Sequence, residues 1–517
     1  MRTKNSFINL IVSWGTQIAN TLLRFALRTV FIHILTTEYL GLNGLFSNIL
    51  NFLSFAELGV GSAIAFSLYK PLAERDETAI AGIMNFFRKT YFIIGIFVLV
   101  VGLSFTPFIE YFINDIPDIP YIHLIYALCV VNSGISYFLV YKSTLIIADQ
   151  RKDIVEKNNF IFKMLLLTGQ MGILLLTHNY ILYLLVNIIV TLLTNISISM
   201  IADKRYRFLS TKKNTQIDSD TLSEIKKNVS ATMLHKVGAV IIFGTDNLLI
   251  SKFFGLEIVG LYSNYHLIID TLTNFVGQIQ ASVTASVGNL GITATPEKKL
   301  EVFERYLFLV FWLFNFTSIC LVALLNPFIH LWIGEQYIIP ISVVAVLVFN
   351  YFLTGLRSAA ATFDNAFGLF WNTRKLPVIE SVINLVISIA LAKWVGYIGI
   401  FLGTTISSLI SGTWFEPYVL YKYGFKKSSI GYYRHLMEYF IVTVLSGIFF
   451  VFIISVISIN GFGGFILKCF IVVFGSNLFL ILIYFRSKRM KYIYEIFGQI
   501  RMFIKKRFKK GDMYAGD

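Results

Sequence analysis

Charge is scarce in this chain. Of its 517 residues, 14% are Asp, Glu, Lys or Arg against 56% hydrophobic, and the mean hydropathy is +0.71. A soluble domain cannot cover its surface with so little charge. The composition therefore points to an all-α integral membrane protein, because a helix bonds every backbone group within its own segment. Cysteine is nearly missing as well. Cys129, Cys320 and Cys469 lie far apart inside apolar runs, which excludes a disulfide framework and suits packing. The seven histidines show no metal-ligand spacing, and neither a metal nor another cofactor is expected. No Gly-x-x-x-x-Gly-Lys-Ser/Thr occurs, so the chain is not its own ATPase. Gly59-x-Gly61 stands inside an apolar run and reads as helix packing. No cation-poor loop exceeds about ten residues, which leaves little room for the catalytic loops of a membrane polymerase or glycosyltransferase. No enzymatic activity is expected.

What is present is a succession of long apolar runs. They read as about fourteen spans of ~20 or more residues each. These lie near 7–35, 41–68, 89–113, 121–147, 159–178, 180–202, 226–252, 258–288, 304–331, 338–369, 376–394, 397–421, 435–459 and 463–485. The net charge of +15 is not a nucleic-acid signal, because most cations sit in alternate loops, as the positive-inside rule requires. Arg88/Lys89, Arg151/Lys152, Lys204 to Lys213, Lys298/Lys299, Arg374/Lys375 and Lys426/Lys427 mark one side. Glu38, Asp115, Asp118, Glu257 and Glu335 mark the other, with Lys252, Lys393 and Lys468 as exceptions. A multi-pass protein with both termini cytoplasmic follows. The N-terminus shows no small-residue cleavage site after a short apolar core, so no removable signal is expected.

The chain also repeats itself. Leu40-Gly41-Leu42 opens the second span and Val259-Gly260-Leu261 the eighth. Asp149-Gln150-Arg151-Lys152 follows the fourth and Asn372-Thr373-Arg374-Lys375 the tenth. The offsets nearly agree, so a six-span unit recurs. Six is even, so both copies enter from one side and a pseudo-two-fold axis should run along the membrane normal. The expected organisation is an N-terminal six-helix lobe (1–204), a polar cytoplasmic linker (205–225) and a second six-helix lobe (226–423). An extra helix pair (424–486) and a basic amphipathic tail suited to an anionic leaflet (487–517) follow.

Several spans carry polar stripes at helical spacing. The first presents Gln17, Thr21, Arg24 and Arg28 within one wedge of the helix. A charge at the bilayer centre costs about 2.5–3.5 kcal/mol on insertion scales, so two on one stripe should face a wet, protein-lined cavity. The second span offers Asn43, Ser47, Asn51, Ser54 and Glu57; the seventh His235, Lys236 and Asp246; the eighth Ser263, His266, Asp270 and Asn274; the tenth Asn350, Thr354, Arg357 and Asp364. The anion-binding candidates are Arg24, Arg28 and Arg357. Gln17, Thr21, Asn51, Glu57, His266 and Asn350 are the candidate cavity lining. Asp246, Asp270 and Asp364, with Glu57, are candidates for a coupling proton or cation, or for neutralising the arginines. Arg357 and Asp364, seven residues apart on one face, are spaced to pair. Lone Asn and Ser also glue helices together at ~0.6 kcal/mol each.

The stretch Thr37-Glu38-Tyr39-Leu40-Gly41-Leu42-Asn43-Gly44-Leu45-Phe46-Ser47-Asn48-Ile49-Leu50, continued by Phe55-Ala56-Glu57-Leu58-Gly59-Val60-Gly61-Ser62-Ala63, resembles the second span of polysaccharide flippases. These belong to the multidrug/oligosaccharidyl-lipid/polysaccharide (MOP) superfamily. Span count, repeat, linker position and final pair extend the resemblance over essentially the whole chain. It implies a V-shaped, two-lobed transporter in a bacterial cytoplasmic membrane. Such a transporter flips undecaprenyl-pyrophosphate-linked oligosaccharide units outward for capsule or O-antigen synthesis. The implied partners are that lipid-linked oligosaccharide, membrane lipids, and a polysaccharide polymerase and glycosyltransferases. Lipid II flippases in the same superfamily keep first-span arginines in a cationic cavity, where Arg24 and Arg28 fall, and use the last two spans as a lipid-tail groove. The eighth span departs from that pattern, offering His266 and Asp270. Two alternatives stand beside it: a cation-coupled drug antiporter of the same fold, which needs an acidic, aromatic cavity, and a membrane polymerase.

Overall fold

The structure is a computed structural model of the chain and describes residues 2–57, 60–114, 119–211, 215–457, 459, 461–490 and 494. In chain order the helices are α1 (Arg2–Ile34), α2 (Thr37–Leu53), α3 (Val60–Glu74), α4 (Glu77–Ser104), α5 (Ile122–Tyr137), α6 (Tyr141–Ala148), α7 (Lys152–Thr177), α8 (Tyr180–Arg205) and the short α9 (Phe208–Thr211). Then follow α10 (Ser219–Phe254), α11 (Leu256–Thr293), α12 (Pro296–Trp332), α13 (Ile341–Ala366) and the short α14 (Phe370–Thr373). The last are α15 (Leu376–Val395), α16 (Ile398–Ile410), α17 (Gly412–Val419), α18 (Ile430–Val456) and α19 (Gly461–Tyr484). The protein is an all-α membrane protein.

Local signals set the boundaries. Asp76 caps α4 by accepting from the backbone N–H of Thr78 (2.9 Å) and Ala79 (3.0 Å), and Asn179 caps α8 through Ile181 (2.8 Å) and Leu182 (3.2 Å). Thr295 followed by Pro296 starts α12. Each span read from the sequence coincides with one helix or one broken helix. Among the described residues, nine segments are long and apolar enough to cross a bilayer, and the bent pair α5–α6 makes a tenth. The other four spans coincide with α1, the broken α2–α3, α10 and α11. These carry four of the five polar stripes.

The break between α5 and α6, a bend of 40°, was invisible in the sequence, where 121–147 reads as one span. Leu139 adopts φ 68° there, in the left-handed region. A broken helix in hydrocarbon leaves carbonyls that must be satisfied internally. Asn195 of α8, buried at 7% exposure, supplies the donor. Its Nδ2 faces the carbonyls of Phe138 (2.9 Å), Ser136 (3.2 Å) and Ile135 (3.4 Å). Replacing Asn195 by Leu is expected to cost about 1–3 kcal/mol, the penalty of orphaned buried acceptors. The measurement is a lowered melting temperature of the purified protein in detergent.

Contacts gather the chain into two compact units. One is Met1–Asn264 with Pro377–Gly403, the other Tyr265–Leu376 with Thr404–Asp517. This is a grouping by contact; the partition at 205–225 follows topology and stays a proposal. Residues 212–214 of that linker, and most of the basic tail, lie outside the described residues.

Within the first unit the two glycines matched by the repeat meet reciprocally. A Cβ on Gly41 would stand 2.1 Å from the Leu256 carbonyl oxygen, and one on Gly260 would stand 2.3 Å from that of Thr37. Thr37 precedes Gly41, and Leu256 precedes Gly260, by the same four positions. The starts of α2 and α11 thus cross as two copies of one element around a local two-fold, with glycine allowing backbone-to-backbone contact. The core of this unit gathers Leu68, Ile83, Phe87, Tyr91, Val98, Leu145 and Ile146.

The second unit is built on aromatic packing. Phe311 and Tyr439 stack at 4.0 Å, and Tyr484 meets Phe308 edge-on at 5.1 Å. Asn315 donates to Thr443 at 2.6 Å, pinning α12 to α18. On α18 and α19, Ile448, Phe452, Phe470 and Phe474 are exposed, as helices bathed in lipid require.

Candidate functional site

The first-span stripe builds a cationic patch inside the first unit. On α1, Gln17 and Thr21 are half-buried, Arg24 is exposed and Arg28 is half-buried. Arg28 lies six residues, about 9 Å, short of the end of α1. Its Nη1 donates to Ser263 Oγ at 3.1 Å, so the guanidinium is turned onto α11 rather than up towards headgroups. Ser263 Oγ in turn donates to the Gly260 carbonyl at 2.7 Å. The close crossing at Gly260 is what brings the hydroxyl within reach. Tyr183 stands beside Arg28, stacked on Tyr180 at 5.5 Å and capped by Phe31.

A third cation joins from α7. Lys163, half-buried, lies close enough to Arg24 to repel it electrostatically. Among the described residues no carboxylate pairs with Arg24, Arg28 or Lys163. Three positive groups on spanning helices are thus gathered without a matching negative one. Such an arrangement persists only where water or an anionic ligand reaches it.

The other candidates are distributed. Asn51 is exposed, and a 3-10 turn (Ser54–Glu57) ends α2 just after it. Glu57, at the close of that turn, accepts from Tyr91 Oη at 2.5 Å. Asp246 is half-buried. The side chains of His235 and Lys236 lie outside the described residues. In the second unit His266 Nδ1 meets Asp270 Oδ2 at 3.1 Å, both about half exposed. Asn350 accepts from Thr405 at 2.6 Å. Asp364 is 5% exposed, and its Oδ1 has no hydrogen-bond partner among the described residues.

Arg357 is held differently from the first-span arginines. Its Nη2 meets Glu416 Oε1 at 3.0 Å, its Nε donates to Oε2 at 3.4 Å, and its Nη1 donates to Ser408 at 2.8 Å. Gly412 makes the fit possible, since a Cβ there would lie 1.9 Å from Nη2. The spacing of Arg357 and Asp364 suggested a pair within α13; the carboxylate gripped by the guanidinium comes instead from α17. Helical spacing sees only neighbours on one helix, so Glu416 was missed. Lys163 was missed because it lies within the first turns of the fifth span. The rule that flagged Arg24, a cation inside an apolar run, would have found it.

No protein family model and no curated protein matches this sequence. Solved structures do. The inward-closed form of the lipid II flippase MurJ aligns with a TM-score of 0.63 at 14% identity, covering 92% of this chain and 99% of that one. An inward-facing multidrug resistance MATE family transporter of the MOP superfamily aligns at 0.62 and 13% identity, covering 76% and 92%. The chain has the fold of the MOP-superfamily transporters. A third structure, a MOP superfamily transporter from Pyrococcus furiosus described as having a binding pocket of reversed polarity, aligns at 0.50 and 13% identity, covering 81% and 95%. Pocket polarity therefore differs between proteins of this fold, and only this chain's own side chains can argue for its cargo.

Proposed function

We propose that this protein is a flippase. It moves undecaprenyl-pyrophosphate-linked oligosaccharide repeat units from the inner to the outer leaflet of a bacterial cytoplasmic membrane, for capsule or O-antigen assembly. The observation that carries the reading is the uncompensated trio Arg24, Arg28 and Lys163. An organic-cation antiporter would need acidic groups at that place. A diphosphate cannot enter hydrocarbon unaided, because burying each unpaired ion costs several kcal/mol. Arginine is suited to it, since its planar fork binds phosphate oxygens bidentately and keeps its charge.

In this reading Arg24 and Arg28 hold the diphosphate and Lys163 adds a point charge. Gln17, Thr21, Asn51 and Glu57 of the first unit, and His266 and Asn350 of the second, are the polar groups assigned to the sugars, and the polyprenyl tail stays in lipid against α18 and α19. Arg357, already satisfied by Glu416, serves the diphosphate only if that pair opens. Asp246, Asp270 and Asp364 are the candidates for a coupling ion. An inside-negative potential favours anion export by about 2.3 kcal/mol per charge per 100 mV, so two charges gain ~4–5 kcal/mol. Partner enzymes upstream and downstream would be glycosyltransferases and a polymerase. Alternating access in two lobes supplies the movement.

Reconstitution tests this. In vesicles holding the full chain, a lipid-linked diphosphate oligosaccharide should become accessible to an external glycosidase faster when the interior is negative. Equal rates with and without protein would reject the reading. Transport of organic cations under a proton gradient would favour the antiporter.

A further inference from the structure

The strongest unassigned feature is a cationic pocket of about 480 Å³ in the second unit, lined by Tyr418, Lys422, Lys426, Lys427, Ser428 and Ser429. The chain path creates it. A π turn (Leu420–Phe425) carries α17 past its end, and Lys426 takes left-handed backbone with φ 55°. The Lys427 N–H then donates back to the Tyr421 carbonyl at 3.1 Å, and α18 starts at Ile430. The reversal sets three ammonium groups around the first turn of a 27-residue helix, whose positive end adds to their field.

The local charge count leaves a surplus. Glu297 offsets Lys427 at 3.3 Å. Among the described residues Lys422 meets no carboxylate: it donates to the Tyr418 hydroxyl at 3.1 Å and lies over the rings of Tyr418 and Tyr423 at 5.3 and 5.4 Å. Two positive charges therefore remain, with two serine hydroxyls beside them. Trp414, Phe415, Tyr418 and Tyr423 are all exposed along the same stretch. Such a run of aromatics above an apolar helix marks the level of lipid headgroups. The distribution of Lys and Arg assigns this loop to the cytoplasmic side.

We infer that this pocket binds the phosphate of an anionic phospholipid headgroup, the lysines taking the phosphate oxygens and the aromatic side chains lying along the glycerol and upper acyl chains. The inference does not depend on the cargo of the transporter. Free phosphate shares the chemistry but lacks the acyl part that the exposed aromatics would meet.

The test uses the full chain in nanodiscs doped with phosphatidylglycerol or with phosphatidylcholine, reading retained lipid by native mass spectrometry. The wild type should retain phosphatidylglycerol preferentially, and more weakly at high salt, since exposed charges are screened. K422A/K426A/K427A should lower that retention about fivefold or more. The triple replacement by Arg should keep it, and R151A/K152A, in the first unit, should leave it unchanged. The milder K426Q keeps the test readable if the alanine triple fails to fold. The inference is overturned by any of three results: undiminished preference in the alanine triple and K426Q, an equal loss in R151A/K152A, or displacement of the lipid by millimolar inorganic phosphate.

Discussion

Replacing Arg28 by Ala is expected to cut flipping of a lipid-linked diphosphate tenfold or more while leaving folded protein in the membrane. The size follows from the interaction removed. A hydrogen bond to a charged group is worth about 1.5–3 kcal/mol, and 1.4 kcal/mol is tenfold. R28K should fall between, because an ammonium keeps the charge but loses the fork. The double variant R24A/R28A should abolish transport, since Lys163 alone remains. S263A is the informative control. It removes the hydroxyl 3.1 Å from the guanidinium without touching the charge, and should reduce transport only a few-fold. In cells, loss of flipping should leave lipid-linked intermediates on the inner face, whereas loss of a polymerase would leave them outside. Normal surface polysaccharide in R24A/R28A would remove the basis of the proposed cargo.

The second large effect concerns Glu416. Removing it strands the Arg357 guanidinium, which is 18% exposed. Breaking one side of a buried pair costs up to about 3–5 kcal/mol, while replacing both members by apolar residues is often neutral. E416A should therefore lower the melting temperature strongly in detergent, and R357M/E416L should recover most of it. G412A should mimic E416A in part, because its Cβ would occupy the place of Nη2. If E416A and R357M/E416L were equally destabilised, the pair would not be what holds α13 against α17. If R357M/E416L also transported normally, Arg357 would have no part in holding the diphosphate.

The contrast between these arginines is the main functional point of the structure. Arg24, Arg28 and Arg357 look alike in the sequence, each a cation inside an apolar run. Folding gives Arg357 a carboxylate from another helix and gives Arg28 a serine, with Lys163 added to the repulsion around Arg24. Of these three arginines, the two in the α1–α7 patch keep their charge available among the described residues. The pair in the second unit is a structural bond until something opens it.

The sequence by itself determined the class of the protein and the positions of its helices. The bilayer leaves no alternative to a helix for an isolated apolar run of this length, so hydropathy alone locates the spans. It also carried the repeat, because Gly41 and Gly260 must both be glycine for the same close crossing to form. The tertiary structure decided what each polar group faces. The plug that Asn195 sets against the Leu139 bend, the Arg357–Glu416 pair and the place of Lys163 beside Arg24 all join residues remote in the chain. Periodicity records which face of a helix a residue occupies, but not which helix lies opposite, and the electrostatics of a site in low dielectric depend on that neighbour.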